Sequence, residues 1–208
     1  MFLRPDGAGP LPEWFVVAGL MASVDGVRCY QAAGWDGERW HGIGPTVTDP
    51  SSSDVVAAMV VHQGRLVIGG RFNSLPNPHG VPVPMGHVAQ LVDGEWQPLG
   101  AGVLSGGSLP VAMLAMFNGE IVAGGAFSLS GQQGANVARW TGSQWSIVAG
   151  GPSGSSGVGG AVENNLALFQ GQLYAGGSGS RRARRKCGCS ACSVAGQSSL
   201  GGMGGLEG

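Results

Sequence analysis

Residues 55–72 read VVAAMVVHQGRLVIGGRF. A β-branched apolar run meets a Gln63-Gly64 turn, returns as a second apolar run and stops at the glycine pair Gly69-Gly70, which is the pattern of an antiparallel hairpin. The same text recurs as VAMLAMFNGEIVAGGAFS from Val111 and as NNLALFQGQLYAGGSGS from Asn164, and a shorter copy opens with WFVVAGLM at Trp14. A second block follows each of the first three glycine motifs: YQAAGWDGERWHGIG from Tyr30, VAQLVDGEWQPLG from Val88 and VARWTGSQWSIVAG from Val137. Self-similarity at a period of roughly 50 residues marks a repeat architecture. Such a repeat explains its own residues as scaffold, before any chemistry is invoked.

Within the copy at 55–103 the pattern divides into four strands. Strand a covers 55–62 and strand b 66–72; a proline-rich loop at 73–86 precedes strand c at 87–92, and Asp93-Gly94 turns the chain into strand d at 95–99. Asn118-Gly119 and Gln170-Gly171 fill the a–b turn in later copies, and Asp36-Gly37 and Thr141-Gly142 fill the c–d turn. Asn-Gly and Asp-Gly suit two-residue hairpins because both central residues take positive φ. The pairs Gly69-Gly70, Gly124-Gly125 and Gly176-Gly177 end apolar strands, where a missing side chain admits a neighbouring backbone or ring. Trp40, Trp96 and Trp145 recur in strand d, and a large ring at one fixed repeat position is expected to pack between adjacent repeats.

Apolar strand, Gly-Gly, long loop, short strand, Asp-Gly turn and Trp together resemble the kelch repeat of galactose-oxidase-type β-propellers. NGxxxxGGxF followed by VARWxGxxW is similar to kelch-like repeats of bacterial secreted or surface proteins and of fungal cortical markers. The resemblance spans residues 14–179 and implies an all-β, incomplete propeller: an open arc of three to four blades of four-stranded antiparallel sheet. The implied organisation is an N-terminal extension (1–13), a partial first blade with strands b to d (14–46), a second blade (55–103), a third (109–150), a partial fourth with strands a and b (161–178) and a tail (179–208). The resemblance also implies an extracellular or cell-surface setting. A copper site of the galactose oxidase kind needs tyrosine and histidine ligands and a Tyr–Cys cross-link; only Tyr30 and Tyr174 are present, both in strand-like positions, so no oxidase activity, metal or other cofactor is carried over.

Composition narrows the function classes. The 208 residues carry a net charge of -1, with 11% charged residues and 41 glycines. That balance fits turn-rich β structure, supplies no global field for nucleic acid, and contains no apolar run of the roughly 18 residues a membrane helix needs. Residues 14–22 have the apolar character of a signal-peptide core, yet they align with the later VIGG and VAGG strands and follow Asp6, Pro10, Pro12 and Glu13; repeat register favours a strand.

Past Gly179 the periodicity stops, and the segment holding RRARRK and Cys187-x-Cys189-x-x-Cys192 is low-complexity, with disorder the expectation. Out-of-frame translation would produce the same break, and translating the other two frames tests it. The three tail cysteines lack a fourth local ligand, so no metal is expected there, and Cys29 stands far off in sequence. The basic cluster reads as a solvated run, with a nuclear address, a phosphate patch or a protease site as the sharper alternatives. The glycines at 150–160 lack the Lys-Ser or Lys-Thr ending of a phosphate loop, and His41, His62, His79 and His87 form no spacing pattern of a catalytic centre.

Function is therefore expected on loops. Antiparallel strand order sends the b–c and d–a connections to one side of every repeat: residues 22–31, 45–54, 73–86, 104–109 and 128–135. Loops on a rigid scaffold are where binding concentrates, which nominates Arg28, Tyr30, Asn73, Asn77, His79, Gln132 and Gln133. Pro76, Pro78, Pro82 and Pro84 stiffen the loop around His79. The expected function is a non-enzymatic scaffold that binds a protein or a glycan. The alternatives are a fragment of a hydrolase or oxidase whose channel residues lie partly in absent blades, and a truncated product without function.

Overall fold

A computed structural model describes residues 2–3, 13–29, 31–44, 54–105, 109–129, 137–148, 165–169, 172–176 and 191–194. Every regular element among them is a β-strand, and all the pairings are antiparallel. In the first sheet, β1 (Phe2–Leu3) and β2 (Trp14–Ala18) pair; a small hairpin of β3 (Ser23–Val24) and β4 (Val27–Arg28) leads to β5 (Ala32–Trp35) and β6 (Trp40–Gly42), giving the order β1-β2-β5-β6. The second sheet runs from β7 (Val55–His62) to β8 (Arg65–Arg71), then through a hairpin of β9 (Ser74–Pro76) and β10 (Pro82–Pro84) to β11 (Val88–Val92) and β12 (Glu95–Pro98). A short β13 (Leu104–Ser105) precedes the third sheet, made of β14 (Met113–Phe117), β15 (Glu120–Gly124), β17 (Val137–Trp140) and β18 (Trp145–Ile147); β16 (Phe127–Ser128) lies between β15 and β17 in sequence and pairs with β13. The fourth sheet is β19 (Asn165–Phe169), β20 (Gln172–Gly176) and β21 (Ala191–Val194).

Three features depart from the sequence expectation. Phe2–Leu3, placed in the N-terminal extension, pairs with Phe15 and Trp14 and occupies the strand-a position of the first sheet. Ala191–Val194, placed in a disordered tail, pairs with Leu173 to Gly176 and takes the strand-c position of the fourth. Edge strands present unpaired N–H and C=O groups, which accept any segment free to extend. The loops at 22–31 and 73–86 are themselves ribbons, because Asp25-Gly26 and the Asn77 turn close two further hairpins.

Turn chemistry explains the registers. Gln63-Gly64, Asp93-Gly94 and Asn118-Gly119 all hold positive φ at both residues, as a type I′ turn requires. The c–d turns of the first and third sheets differ. Asp36 N–H donates to the Arg39 carbonyl (3.3 Å) and Thr141 N–H to the Gln144 carbonyl (3.0 Å), so Gly37 and Gly142 take the first central position, where a type II′ turn wants glycine. The residue before each glycine caps the turn: Asp36 Oδ1 accepts the Glu38 and Arg39 N–H groups, and Thr141 Oγ1 accepts that of Gln144.

Successive sheets pack face to face through three apolar clusters. Val16, Ala32 and Ile43 of the first sheet meet Val56, Leu66, Ile68, Ala89 and Trp96 of the second. Val60, Val67, Val88 and Leu99 of the second meet Val111, Ile121, Ala138, Trp140 and Trp145 of the third. Val122 and Val137 of the third meet Leu173 of the fourth. Strand b of the inner sheets is therefore buried on both faces, and each fully buried Leu, Ile or Val contributes about 1.5–3 kcal/mol. β2 and β14 both lie against β7, and β19 lies against β14, so neighbouring sheets also meet along these inner strands.

The glycine pair does two jobs. The second glycine faces its own sheet: a Cβ on Gly70 would enter the Val55 carbonyl, beside the bulge where the β7–β8 register shifts between Val56 and Ala58, and one on Gly125 would enter the Pro110 carbonyl. The first faces the next sheet, where a Cβ on Gly69 would stand 2.5 Å from Val111 Cγ1 and one on Gly124 3.4 Å from Leu166 Cδ1. Gly176 lies in β20, and Gly177 lies outside the described residues.

Candidate functional site

The b–c and d–a connections are welded into one face by backbone hydrogen bonds between them. β13, in the connection from the second sheet to the third, pairs with β16 in the b–c connection of the third. Val103 N–H donates to the Gly86 carbonyl (2.8 Å), and the Gly86 and Gly102 backbones are too close for a Cβ on either. Among the described residues, the expected loop face is thus a surface of short ribbons.

Under this face sits a pair of residues that spacing did not single out. Gln31 and His87 each precede strand c, are buried, and hold positive φ (57° and 68°). Their backbones make matching bonds: Gly19 N–H donates to the Gln31 carbonyl (3.0 Å) and Gly70 N–H to that of His87 (3.2 Å), while Gln31 N–H donates to Met21 (3.1 Å) and His87 N–H to Phe72 (3.1 Å). The Gln31 amide then spans to the second sheet, with Nε2 donating to the Asp54 carbonyl (2.5 Å) and Oε1 accepting the Val56 N–H (2.6 Å). His87 cannot copy that two-ended clamp, and its Nδ1 is buried with no hydrogen-bond partner. Burial pushes the His87 pKa down, against the opposing pull of the Phe72 carbonyl and the Asp54 carboxylate. Only the repeat alignment, Gln31-Ala32-Ala33 over His87-Val88-Ala89, carries a sequence signal for this pair.

Leu109 and Val111 stand in the third sheet where Asp54 and Val56 stand in the second, but there the Val111 N–H donates to the Gly70 carbonyl (3.4 Å) and the Leu109 carbonyl accepts the Ala126 N–H (3.3 Å), so the backbone supplies its own partners. His87→Gln is therefore expected to change stability by less than about 1 kcal/mol at pH 7.5. It also removes a histidine whose depressed pKa makes stability present above the ordinary histidine value of about 6.5 and lost as pH falls through the folded value. Urea titrations at pH 7.5 and 5.5 check both effects; a variant that loses as much stability between the two pH values as the parent contradicts the histidine's part in it.

The nominated loop residues divide. Asn77 holds the ribbon tip together: its Oδ1 accepts the N–H groups of His79 (3.0 Å) and Val81 (2.9 Å), so its side chain is structural. His79 is exposed at that tip, Asn73 is exposed at the ribbon base and Arg28 is exposed on β4. Tyr30, Gln132 and Gln133 lie outside the described residues. Three of the exposed large apolar side chains belong to the same connections: Leu20 before the first ribbon, Val81 in the second and Leu104 on β13.

A polar cluster also sits at the rim of the first sheet. His41 Nε2 meets Asp36 Oδ2 at 2.6 Å, and its ring stacks on Trp14 with centroids 4.4 Å apart. The His41 hydrogen bond, then the Arg39 and Glu38 N–H groups, hold the Asp36 carboxyl well below the usual carboxylate range. A depressed acid contributes stability above its unfolded pKa of about 3.9 and loses it as pH falls through the folded value. Asp36→Asn should therefore flatten the acid limb of the stability profile; an unchanged slope below pH 4 contradicts the pairing.

Among the described residues no group of three or more His, Cys, Asp or Glu side chains could hold a metal ion, and no helix is long and apolar enough to cross a membrane. The Cys29 thiol is buried, which pushes its pKa up, away from reactive thiolate. The backbone of Cys192 lies in β21, and Cys187 and Cys189 lie outside the described residues. Comparison with protein-family models and with curated proteins finds no match.

Proposed function

We propose that the four sheets are successive blades of an open, kelch-type β-propeller arc, and that the chain is a non-enzymatic scaffold binding a protein or glycan through its b–c and d–a face. The blade reading is supported by the sheet order, by the series of apolar joints and by the repeated glycine and tryptophan positions. The observation that carries the binding reading is the placement of Leu20, Val81 and Leu104, all exposed on the connections of one face. Exposed apolar side chains on backbone-ordered ribbons lose little freedom on binding and exclude water from a contact.

A glycan array and a displayed peptide library, each probed with the 208-residue chain, test this. Binding lost in the Leu20→Asp, Val81→Asp, Leu104→Asp triple variant, with an unchanged melting transition, is the expected result. Binding that survives the triple variant moves the site off this face.

A further inference from the structure

The turn between β14 and β15 pairs an asparagine with the glycine that follows it. Asn118 and Gly119 hold φ of 50° and 80°, both are exposed, and a Cβ on Gly119 would meet nothing within 4 Å. The strand ladder ends at the Phe117↔Glu120 pair that flanks the turn, so the Gly119 N–H lies outside it. A glycine nitrogen carries no side chain to block its approach to the amide carbon of the preceding asparagine. The approach needs the turn to open, and an exposed two-residue turn opens locally while the sheet stays folded.

The other turns each lack a part of that chemistry. Gln63-Gly64 has the same backbone, but its longer side chain would have to close a six-membered ring in place of a five-membered one. Asp93-Gly94 offers a carboxylate, from which oxygen leaves far less readily than ammonia leaves an amide. Asp36 is held as well, with Oδ1 accepting the Glu38 and Arg39 N–H groups and Oδ2 meeting His41 Nε2 at 2.6 Å. Asn77 Oδ1 is engaged by the His79 and Val81 N–H groups, and Pro78 after it has no N–H to lose. Asn73 is followed by Ser74, whose backbone is extended in β9 opposite Pro84 and whose side chain crowds the ring closure.

We propose that Asn118-Gly119 is a covalent self-modification site, where the folded chain converts asparagine to aspartate and isoaspartate. The Gly119 nitrogen gives its proton to solvent base and attacks Asn118 Cγ; the N–Cγ bond forms, the Cγ–Nδ2 bond breaks, and Nδ2 takes up a proton and leaves as ammonia. Water then opens the cyclic imide, at Cγ to give aspartate or at the α-carbonyl to give isoaspartate, whose backbone runs through the β-carbon. No oxidant or reductant enters. Either product adds a negative charge to a chain of net charge -1, beside the Arg139–Glu120 ion pair (3.3 Å). Isoaspartate also lengthens the two-residue turn by one backbone carbon, which strains the Phe117↔Glu120 pair and makes the site a substrate for a methyltransferase that recognises isoaspartyl carboxyls.

Peptide mass mapping of the 208-residue chain, incubated folded at pH 6 and at pH 8, is the test. The expected result is exchange of amide for acid at position 118 ahead of Asn73 and Asn77, faster at pH 8 because the attacking nitrogen must lose its proton. An isoaspartyl methyltransferase with labelled methyl donor marks the same peptide. Hydroxylamine, which attacks the imide, cuts the chain into residues 1–118 and 119–208. Asn118→Gln, which copies the wording of Gln63-Gly64, abolishes the cut and the methyl label, and circular dichroism checks that it is folded. A folded chain that stays unchanged at position 118 while the urea-unfolded chain converts, conversion at Asn73 or Asn77 as fast as at Asn118, or an Asn118→Gln chain cut like the parent overturns the proposal.

Discussion

Gly70→Ala lowers stability by about 3 kcal/mol, seen as a fall of roughly 10 °C in the melting midpoint for a chain of this size. Gly70 does not hold a positive φ, so the cost is steric. Its Cβ would enter the Val55 carbonyl, with the Ala57 nitrogen close behind, and both are backbone atoms of the strand-a bulge. Gly125→Ala meets the Pro110 carbonyl and the Ala112 nitrogen in the same way, so the two substitutions should cost alike. Gly94→Asn is the contrast. Nothing lies near that turn glycine, and asparagine tolerates left-handed backbone, so its cost stays under about 1 kcal/mol. Urea titration of the three variants measures this; a Gly70→Ala cost no larger than that of Gly94→Asn would contradict the close approach.

Trp96→Ala is the other large effect, about 4 kcal/mol, because a buried ring leaves a cavity that the neighbouring sheets fill only in part. Its indole abuts Gly44 at the end of the first sheet and belongs to the cluster joining the first two sheets. Trp145→Ala empties the next joint and should cost a similar amount. Trp40→Ala should cost less, since that ring is half-buried. The phenylalanine variants reverse the emphasis. Trp145 Nε1 donates to the Leu99 carbonyl at 3.0 Å across the joint, whereas the buried Trp96 Nε1 has no acceptor. Trp145→Phe therefore loses about 1 kcal/mol of hydrogen bonding, and Trp96→Phe loses less because it removes an unpaired donor. Chemical denaturation of the five variants orders them, and a Trp40→Ala cost above that of Trp96→Ala would contradict the joint assignment.

Strand order was legible because period-2 apolar patterning and Gln63-Gly64, Asp93-Gly94 and Asn118-Gly119 are local signals. The glycine pair was legible as a close approach, but which glycine serves which sheet depends on the strand-a bulge, a tertiary feature. Phe2–Leu3 and Ala191–Val194 join sheets without repeat wording, since edge pairing needs only extended backbone. The turn at Asp36 shows a finer limit. Asp36-Gly37 has the same wording as Asp93-Gly94, yet cross-strand pairing of Trp35 with Trp40 moves the glycine by one position. Gln31 and His87 escaped because a buried polar group before a strand has no sequence mark; its partners are supplied by the next sheet. Asn77 was visible as a loop residue, and its role turned on hydrogen bonds that only the folded ribbon defines.

Tryptophan and glycine positions of the repeat form the sheet-to-sheet joints and leave the connections outside them. Nuclear Overhauser contacts from the tryptophan rings test it most directly. Cross-peaks are expected between the Trp96 indole N–H and the Gly44 α-protons, and between the Trp140 ring and the Gly100 α-protons, where a Cβ would lie 2.6 Å from Cζ3. Tryptophan cross-peaks confined to each ring's own sheet would contradict it.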